Sequence, residues 1–254
     1  MEPGLIVDNK YKIIEKVGKG AFATWYKATQ ITEEEADVSQ SHSVVLKVAH
    51  KTDISLLNEW VVNQEACRHN RLLKYREYSS IEVLDDEKTP DNYEYLVSEY
   101  MENGDLFKFV NNEGFDEDWA RFLFKNVIRA LEAFHNNGYA HLDIKLGNIL
   151  LDSHYFPKLA DFGFAQRFPE DDVFASKDFR LIGTKHYICP EMQEEPLFSG
   201  QAADIFACGV SFFILMIGDY PFNSATKTDT KYQNLYKKNP LVFWKKHSRA
   251  KKRF

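Results

Sequence analysis

The sequence has little cysteine. Cys67, Cys189 and Cys208 are scattered, with no metal-ligand spacing and no even framework, so free thiols in a reducing compartment are expected. It has no excess of positive charge either: the formal net charge is −6, which gives no bulk electrostatic reason to bind nucleic acid. Long apolar runs are missing too. The longest, Ile205 to Gly218, is broken by Ser211 and falls short of the roughly 20 residues that span a bilayer, so a buried helix is expected there. The opening residues, Met1 to Asp8, have no basic n-region and no apolar h-region, so no secretory signal is read. No internal repeat is visible. The chain of 254 residues, 44% hydrophobic and 28% charged, can bury a sizeable core in one large domain or two lobes.

The most informative stretch is His141-Leu142-Asp143-Ile144-Lys145-Leu146-Gly147-Asn148. It puts an acid, a cation and an amide on one tight loop, between a helical pattern and the apolar Ile149-Leu150-Leu151. Thirteen residues beyond Asn148 stands Asp161-Phe162-Gly163, preceded by a short strand at Lys158-Leu159-Ala160. At this spacing the two resemble the catalytic loop and the Mg-binding D-F-G of eukaryotic protein kinases. For these residues to be unrelated loop polars, several motifs would have to coincide in the right order.

Taken in order, Tyr11 to Val17 reads as a strand entering a turn at Gly18-Lys19-Gly20-Ala21-Phe22-Ala23, followed by a second strand through Trp25. Glycines there let backbone N–H groups approach phosphates, although an ordinary hairpin turn has the same signature. The hairpin resembles the kinase glycine-rich loop, with Ala23 for its third glycine and Trp25 for its valine. Ile31 to Ser43 reads as a polar loop. Val44 to Ala49 is a buried strand carrying Lys47, which the resemblance identifies as the phosphate-contacting lysine. A helix capped by Asp53 and running to about Arg68 holds Glu59 and Glu65. Counting back from His69 favours Glu59 as the partner of Lys47. Ser79 to Asn92 reads as a polar loop and Tyr93 to Tyr100 as a strand. The following Met101 to Leu106 resembles the hinge of kinases, turning into a helix.

Asp116 to Asn137 is the clearest helix. Trp119, Phe122, Leu123, Asn126, Val127, Ala130, Leu131 and Phe134 recur at i, i+3, i+4, with Asp116 as N-cap and Asn137-Gly138 as a left-handed stop. Phe164 to Ile188 reads as a long surface loop. Its end, Gly183-Thr184 through Cys189-Pro190-Glu191, resembles the close of a Ser/Thr kinase activation segment. Asp204 to Gly209 resembles the start of the buried pillar helix. Tyr232 to Trp244 has weak helical spacing, and the last ten residues hold six Lys or Arg, usually a solvated tail.

The resemblance covers about residues 10 to 247. It implies a two-lobed α+β protein-kinase-like fold, a β-rich N-lobe over 1–100 and a mostly helical C-lobe over 101–254 that lacks its last helices. It looks most like the calcium/calmodulin-kinase-like group, from Glu99-Tyr100-Met101-Glu102-Asn103-Gly104-Asp105-Leu106-Phe107. The implied activity is ATP-dependent phosphorylation of Ser/Thr hydroxyls on protein substrates, in the cytoplasm or nucleus, with ATP and Mg²⁺. Asp143 would be the base and Lys145 would stabilise the transferring phosphoryl group. Thr184 would contact both, and Asn148 and Asp161 would hold Mg²⁺. ATP would meet Val17 through Ala23, Trp25, Val45, Lys47 with Glu59, Ser98, Glu99, Met101, Asp105 and Leu150. Three departures stand out. Leu142 replaces an Arg that grips an activation-loop phosphate, Gly147 replaces a Glu that selects basic substrates, and Trp25 with Val45 narrows the adenine roof. A pseudokinase binding module and a small-molecule phosphotransferase of kinase-like fold are the alternative readings.

Overall fold

Successive side chains of a strand point to opposite faces. Val44, Leu46 and Val48 therefore share one face, and Val45, Lys47 and Ala49 the other. The computed structural model describes residues 1–31, 43–51, 55–84, 90–110, 114–179, 182–235 and 240–247. The chain divides into two units, Met1–Arg68 with Leu73–Met101, and His69–Leu72 with Glu102–Phe254.

The described residues of the first unit form an antiparallel sheet and the helix α1 (Leu57–Ala66). Its strands are β1 (Ile6–Val7), β2 (Tyr11–Lys19), β3 (Ala23–Gln30), β4 (Ser43–His50), β5 (Tyr75–Leu84) and β6 (Pro90–Glu99), in the order β1-β2-β3-β4-β6-β5. The register Tyr26↔Leu46↔Val97 lines up one apolar row, joined by Val44, Val48 and Tyr95 in a buried core. Leu46 is fully buried, so Leu46→Ala is expected to cost about 2–5 kcal/mol. The opposite row is Trp25↔Lys47↔Leu96.

Two expectations are corrected in this unit. The stretch from Ser79 to Asn92 is strand as far as it is described, with Ser79↔Tyr95, Glu82↔Asn92 and Leu84↔Pro90 in register. Its Ser80 and Glu82 are exposed on either side of the half-buried Ile81, which a ribbon with a wet face accommodates. The helix α1 runs Leu57–Ala66 with Leu56 as N-cap, and Asp53 lies outside the described residues. So do residues 32–42 of the expected Ile31–Ser43 loop.

In the second unit, β7 (Gly104–Asp105), β9 (Ile149–Leu151) and β10 (Pro157–Leu159) form a small sheet in the order β10-β9-β7. A single 3-10 turn, Leu106–Phe109, stands where a helix was expected, and Asp105 caps it by accepting from Lys108 N at 3.2 Å. The helix α2 (Glu117–Asn136) starts where Asp116 accepts from the backbone N–H groups of Asp118 and Trp119, and stops before Gly138 at φ +85°. Leu123, Val127, Ala130, Leu131 and Phe134 are buried, but Trp119 is 52% exposed and Phe122 36%. Both lie in the first two turns, where Phe122 stacks edge-on against the exposed Phe156. Asn126, the polar member of the stripe, is buried because it accepts from Arg71 Nε at 2.5 Å and donates to Phe122 O at 2.7 Å.

The chain continues through β8 (Tyr139–Ala140), β11 (Gln166–Arg167), β12 (Val173–Ala175), α3 (Pro190–Glu194), β13 (Leu197–Ser199) and α4 (Gly200–Ile217). The stretch expected as a free surface loop, Phe164 to Ile188, is tied down twice: β11 pairs with β8 and β12 with β13. Phe174 and Ser176 are buried within it. The helix α4 begins five residues earlier than its apolar run, because Ser199 caps it by accepting from Ala202 N at 3.1 Å. With 18 residues it is long and apolar enough to cross a membrane by length and composition, but 61% of it is buried inside the protein, in keeping with the buried helix expected there. The weak helical spacing of Tyr232 to Trp244 resolves into α5 (Thr230–Gln233) and α6 (Pro240–Lys246), and Phe243 of α6 packs on Phe213 of α4. Residues 248–254 of the basic tail lie outside the described residues.

Candidate functional site

In the first unit, Lys47 and Glu59 meet. Lys47 Nζ donates to Glu59 Oε2 at 2.7 Å, and the two side chains are 10% and 2% exposed. Glu65 lies on the exposed side of α1. Desolvating two charges costs several kcal/mol per ion unless further donors satisfy them. Glu59 has such a donor in the hydroxyl of Tyr75. Lys47 Nζ also lies 5.4 Å from the ring centroid of Trp25, within cation–π range.

The hairpin before Lys47 differs from its sequence reading. The strand β2 runs through Val17 and Gly18 to Lys19, and Gly20 N donates to Ala23 O at 2.8 Å to close a turn over Ala21 and Phe22. A Cβ on Gly20 would lie 3.0 Å from the indole of Trp25. Trp25 thus gives Gly20 a packing reason to be glycine besides any phosphate. Val17 and Phe22 are exposed, Ala23 is buried, and Val45 stands opposite Ser98. Ser98 is buried and donates to Glu99 O at 3.2 Å, and Met101 is 4% exposed.

In the second unit, the carboxylate of Asp143 collects donors. Thr184 Oγ1 donates to Oδ1 at 3.0 Å, and Lys145 Nζ and Asn148 Nδ2 donate to Oδ2 at 2.6 and 3.0 Å. Lys145 also donates to Thr184 Oγ1 at 3.0 Å. Asp143, Lys145, Asn148 and Thr184 therefore form one cluster although 41 residues separate its ends. Asp161 lies next to Ala160, whose N–H donates to Asn148 O at 2.9 Å. Asp105 and Leu150 are strand partners in the small sheet.

The loop owes its shape to residues beneath it. Leu142 and Asp161 have φ +61° and +64°, left-handed conformations that cost a non-glycine residue about 1–3 kcal/mol. The fully buried Asp204, at the head of α4, accepts from the backbone N–H of His141 and Leu142, both at 2.8 Å, and its Oδ2 meets His135 Nε2 at 2.9 Å. His141 in turn bonds Ala160 O through Nε2 at 3.1 Å. Sequence reasoning assigned no role to Asp204 or His135. The available signal was an acid opening an otherwise apolar helix.

Leu142 has a packing role of its own. It is buried in an apolar cluster with Ala140, Phe174, Cys189, Met192 and Phe198. Phe174, Phe179 and Phe198 pack ring to ring at centroid distances of 5.3 to 5.5 Å. Asp172 accepts from Ser199 Oγ at 2.5 Å and from Gly200 N at 3.1 Å, so this segment caps α4. Gly200 is needed there, since a Cβ would lie 2.7 Å from Phe174 and 2.8 Å from Ala140. Burial pushes the Cys189 thiol up to about 12, so it stays protonated and packs as an apolar group. Burial also pushes up the phenol of Tyr187, with Tyr220 adding to it, which keeps a neutral hydroxyl close to Asp143.

The residues present fit a magnesium ion. Mg²⁺ takes oxygen ligands, typically one or two from the protein with phosphate and water completing the shell. Asn148 donates twice through Nδ2, to Asp143 O at 2.9 Å and Oδ2 at 3.0 Å, so its Oδ1 is the atom that would take a metal, and Asp161 would supply a carboxylate. Among the described residues no group of three or more His, Cys, Asp or Glu forms an all-protein cage.

The chain is similar in sequence to known proteins. The rice (Oryza sativa subsp. japonica) serine/threonine-protein kinase SAPK1 is 30% identical over 219 residues, covering 84% of this chain and 58% of the relative. The rice CBL-interacting protein kinase 9 is 31% identical over 232 residues, covering 90% and 47%. The Arabidopsis thaliana serine/threonine-protein kinase SRK2E is 30% identical over 220 residues, covering 84% and 55%. The chain spans about half the length of the curated relatives it matches. Residues 11–253 match the protein kinase domain family, and with nearly the whole chain matched, this protein belongs to that family.

Proposed function

We propose that this chain transfers the γ-phosphoryl group of ATP to Ser or Thr hydroxyls of protein substrates. The observation that carries the reading is the cluster on Asp143: Lys145 at 2.6 Å, Asn148 at 3.0 Å and Thr184 at 3.0 Å. Phosphoryl transfer asks a protein mostly for positioning and charge compensation, and each residue has a fitting task. Asp143 accepts the proton of the substrate hydroxyl through a lone pair not used by its three donors. Lys145, held by Asp143 and Thr184, faces the phosphoryl group in flight. In the first unit, Lys47, oriented by Glu59, contacts the phosphates of ATP, and the Gly18–Ala23 hairpin covers them with backbone N–H groups. Asn148 and Asp161 would hold Mg²⁺, which supplies neutralisation of phosphate charge when bound.

The reading extends to regulation. Order in the segment that carries Thr184 comes from the Phe174–Phe179–Phe198 packing on Leu142 and from Asp172 capping α4. A phosphate orders such a segment by pairing with Arg in charge-assisted hydrogen bonds, and leucine offers no donor. Activity is therefore independent of segment phosphorylation.

The test is incubation with labelled ATP, Mg²⁺ and a generic Ser/Thr protein substrate. Label in phosphoserine or phosphothreonine from the wild type, absent with Asp143→Asn, supports the proposal. ATP binding with no transfer by the wild type would replace it with the pseudokinase reading.

A further inference from the structure

The helix α1 cannot be set by apolar burial alone. Of its four buried residues, Glu59, Val62, Asn63 and Ala66, two are polar. Glu59 and Asn63 are four residues apart, one turn along the same face. Both converge on one residue, Tyr75. Asn63 donates Nδ2 to Leu73 O at 2.8 Å and accepts Tyr75 N at 2.8 Å. The Tyr75 hydroxyl donates to Glu59 Oε1, and Lys47 Nζ donates to Oε2. Gln64 adds a bond from Nε2 to Tyr75 O at 3.2 Å.

A break in the strand aims Tyr75 this way. Residues two apart in a regular strand share a face. Here the register shifts between Tyr75 and Glu77: Tyr75 stands opposite Ser98 and Glu77 opposite Val97. Ser98 is on the face of Lys47, through its pairing with Val45, and Val97 is on the core face, through Leu46. The bulge thus sends Tyr75 to Glu59 and Glu77 to Tyr11, whose hydroxyl it accepts at 2.7 Å. At the other end of α1, Leu56 has no side-chain cap of its own, and Glu94 on β6 accepts its N–H at 2.7 Å. Every one of these bonds lies within the first unit.

We propose that Tyr75 is a positioning residue for phosphoryl transfer: its hydroxyl holds the Glu59 carboxylate so that Lys47 is fixed for the nucleotide phosphates. The inference rests on the kinase reading of Lys47. Two oxygens of one buried carboxylate take two donors, one cationic and one neutral, and removing the neutral one leaves Oε1 without this bond. Glu59 then has freedom to rotate, and Lys47 follows it.

Tyr75→Phe keeps the ring and removes only the donor. Steady-state kinetics should give a KM for ATP raised about tenfold with KM for the protein substrate unchanged. A fold-level defect would instead lower the active fraction and leave both KM values alone. A KM for ATP within about twofold of the wild type overturns the proposal. Amide hydrogen exchange on the nucleotide-free protein is the second arm, and it needs no activity. Exchange across Leu57–Ala66 should quicken in Tyr75→Phe while the β2–β3 hairpin stays as in the wild type. Unchanged exchange in α1 overturns the clamp even if the kinase is active. A wild type that neither binds ATP nor transfers phosphate overturns the kinase reading, and the exchange arm alone then decides whether Tyr75 holds Glu59.

Discussion

Glu59 and Asp143 are both nearly buried carboxylates with converging donors, but they are held by different means. Glu59 rides on a ten-residue helix and is fixed by side chains, Lys47 on one oxygen and Tyr75 on the other. Asp143 sits on a loop whose backbone is fixed from beneath, by Asp204 on two consecutive N–H groups and by an apolar cluster around Leu142. A side-chain clamp rests on individual hydrogen bonds, each worth about 1 kcal/mol net and about 1.5–3 kcal/mol when an ion takes part. A pinned backbone is part of the core, and disturbing it costs core energies. The first arrangement can be loosened one bond at a time. The second holds or fails with the second unit.

The difference sets the order of the expected effects. Asp143→Asn should cut phosphotransfer by about 10²- to 10⁴-fold, the range for loss of a general base, while a nucleotide-dependent thermal shift persists. Retention of most activity would remove Asp143 from the chemistry. Leu142→Arg should lower stability by about 3 kcal/mol or more, because it places an unpaired cation among Phe174, Met192 and Phe198. Thermal unfolding measures this, and an unchanged melting temperature would mean that the cluster tolerates a charge.

Smaller effects belong to the side-chain clamp. Glu59→Gln keeps the shape but replaces an ion pair by a neutral contact, and should reduce kcat/KM about tenfold, whereas Glu65→Gln should be neutral. The reverse result would put Glu65 at the lysine. The smallest effect expected is from phosphatase treatment, which should leave the rate unchanged. Ser176, 3% exposed, donates to Glu191 O at 3.4 Å and offers its hydroxyl poorly to another kinase. A collapse in rate after dephosphorylation would mean that a cation elsewhere in the chain reads a phosphate.

The helix Glu117–Asn136 was legible in the sequence, because a 3.6-residue apolar repeat between an Asp cap and a glycine stop admits one reading. So were three members of the Asp143 cluster, Asp143, Lys145 and Asn148, since their loop is contiguous from His141 to Asn148, whereas Thr184 joins them from 41 residues away. The strand pairing within Ser79 to Asn92 was not legible, because polar strand residues facing solvent look like loop until their partners are known. The exposure of Trp119 was hidden for the converse reason: periodicity marks a face, and only a neighbour decides how far along the helix that face is covered.

What the sequence by itself determined was chemical identity: which acids, amides and cations are available, in what order, and that Leu142 offers no donor for a phosphate. Which of them meet belongs to the tertiary structure: the contacts of Lys47 with Glu59 and of Thr184 with Asp143 were expected only from the family resemblance, and that of Tyr75 with Glu59 not at all. The distance from Thr184 to Asp143 spans 41 residues of chain, and Tyr75 reaches Glu59 only because a one-residue bulge reverses the face on which it would otherwise stand. Local pattern carries no information about such contacts, because chain length between two residues does not fix the space between them, and a shift of one residue in a strand turns every side chain after it to the other face.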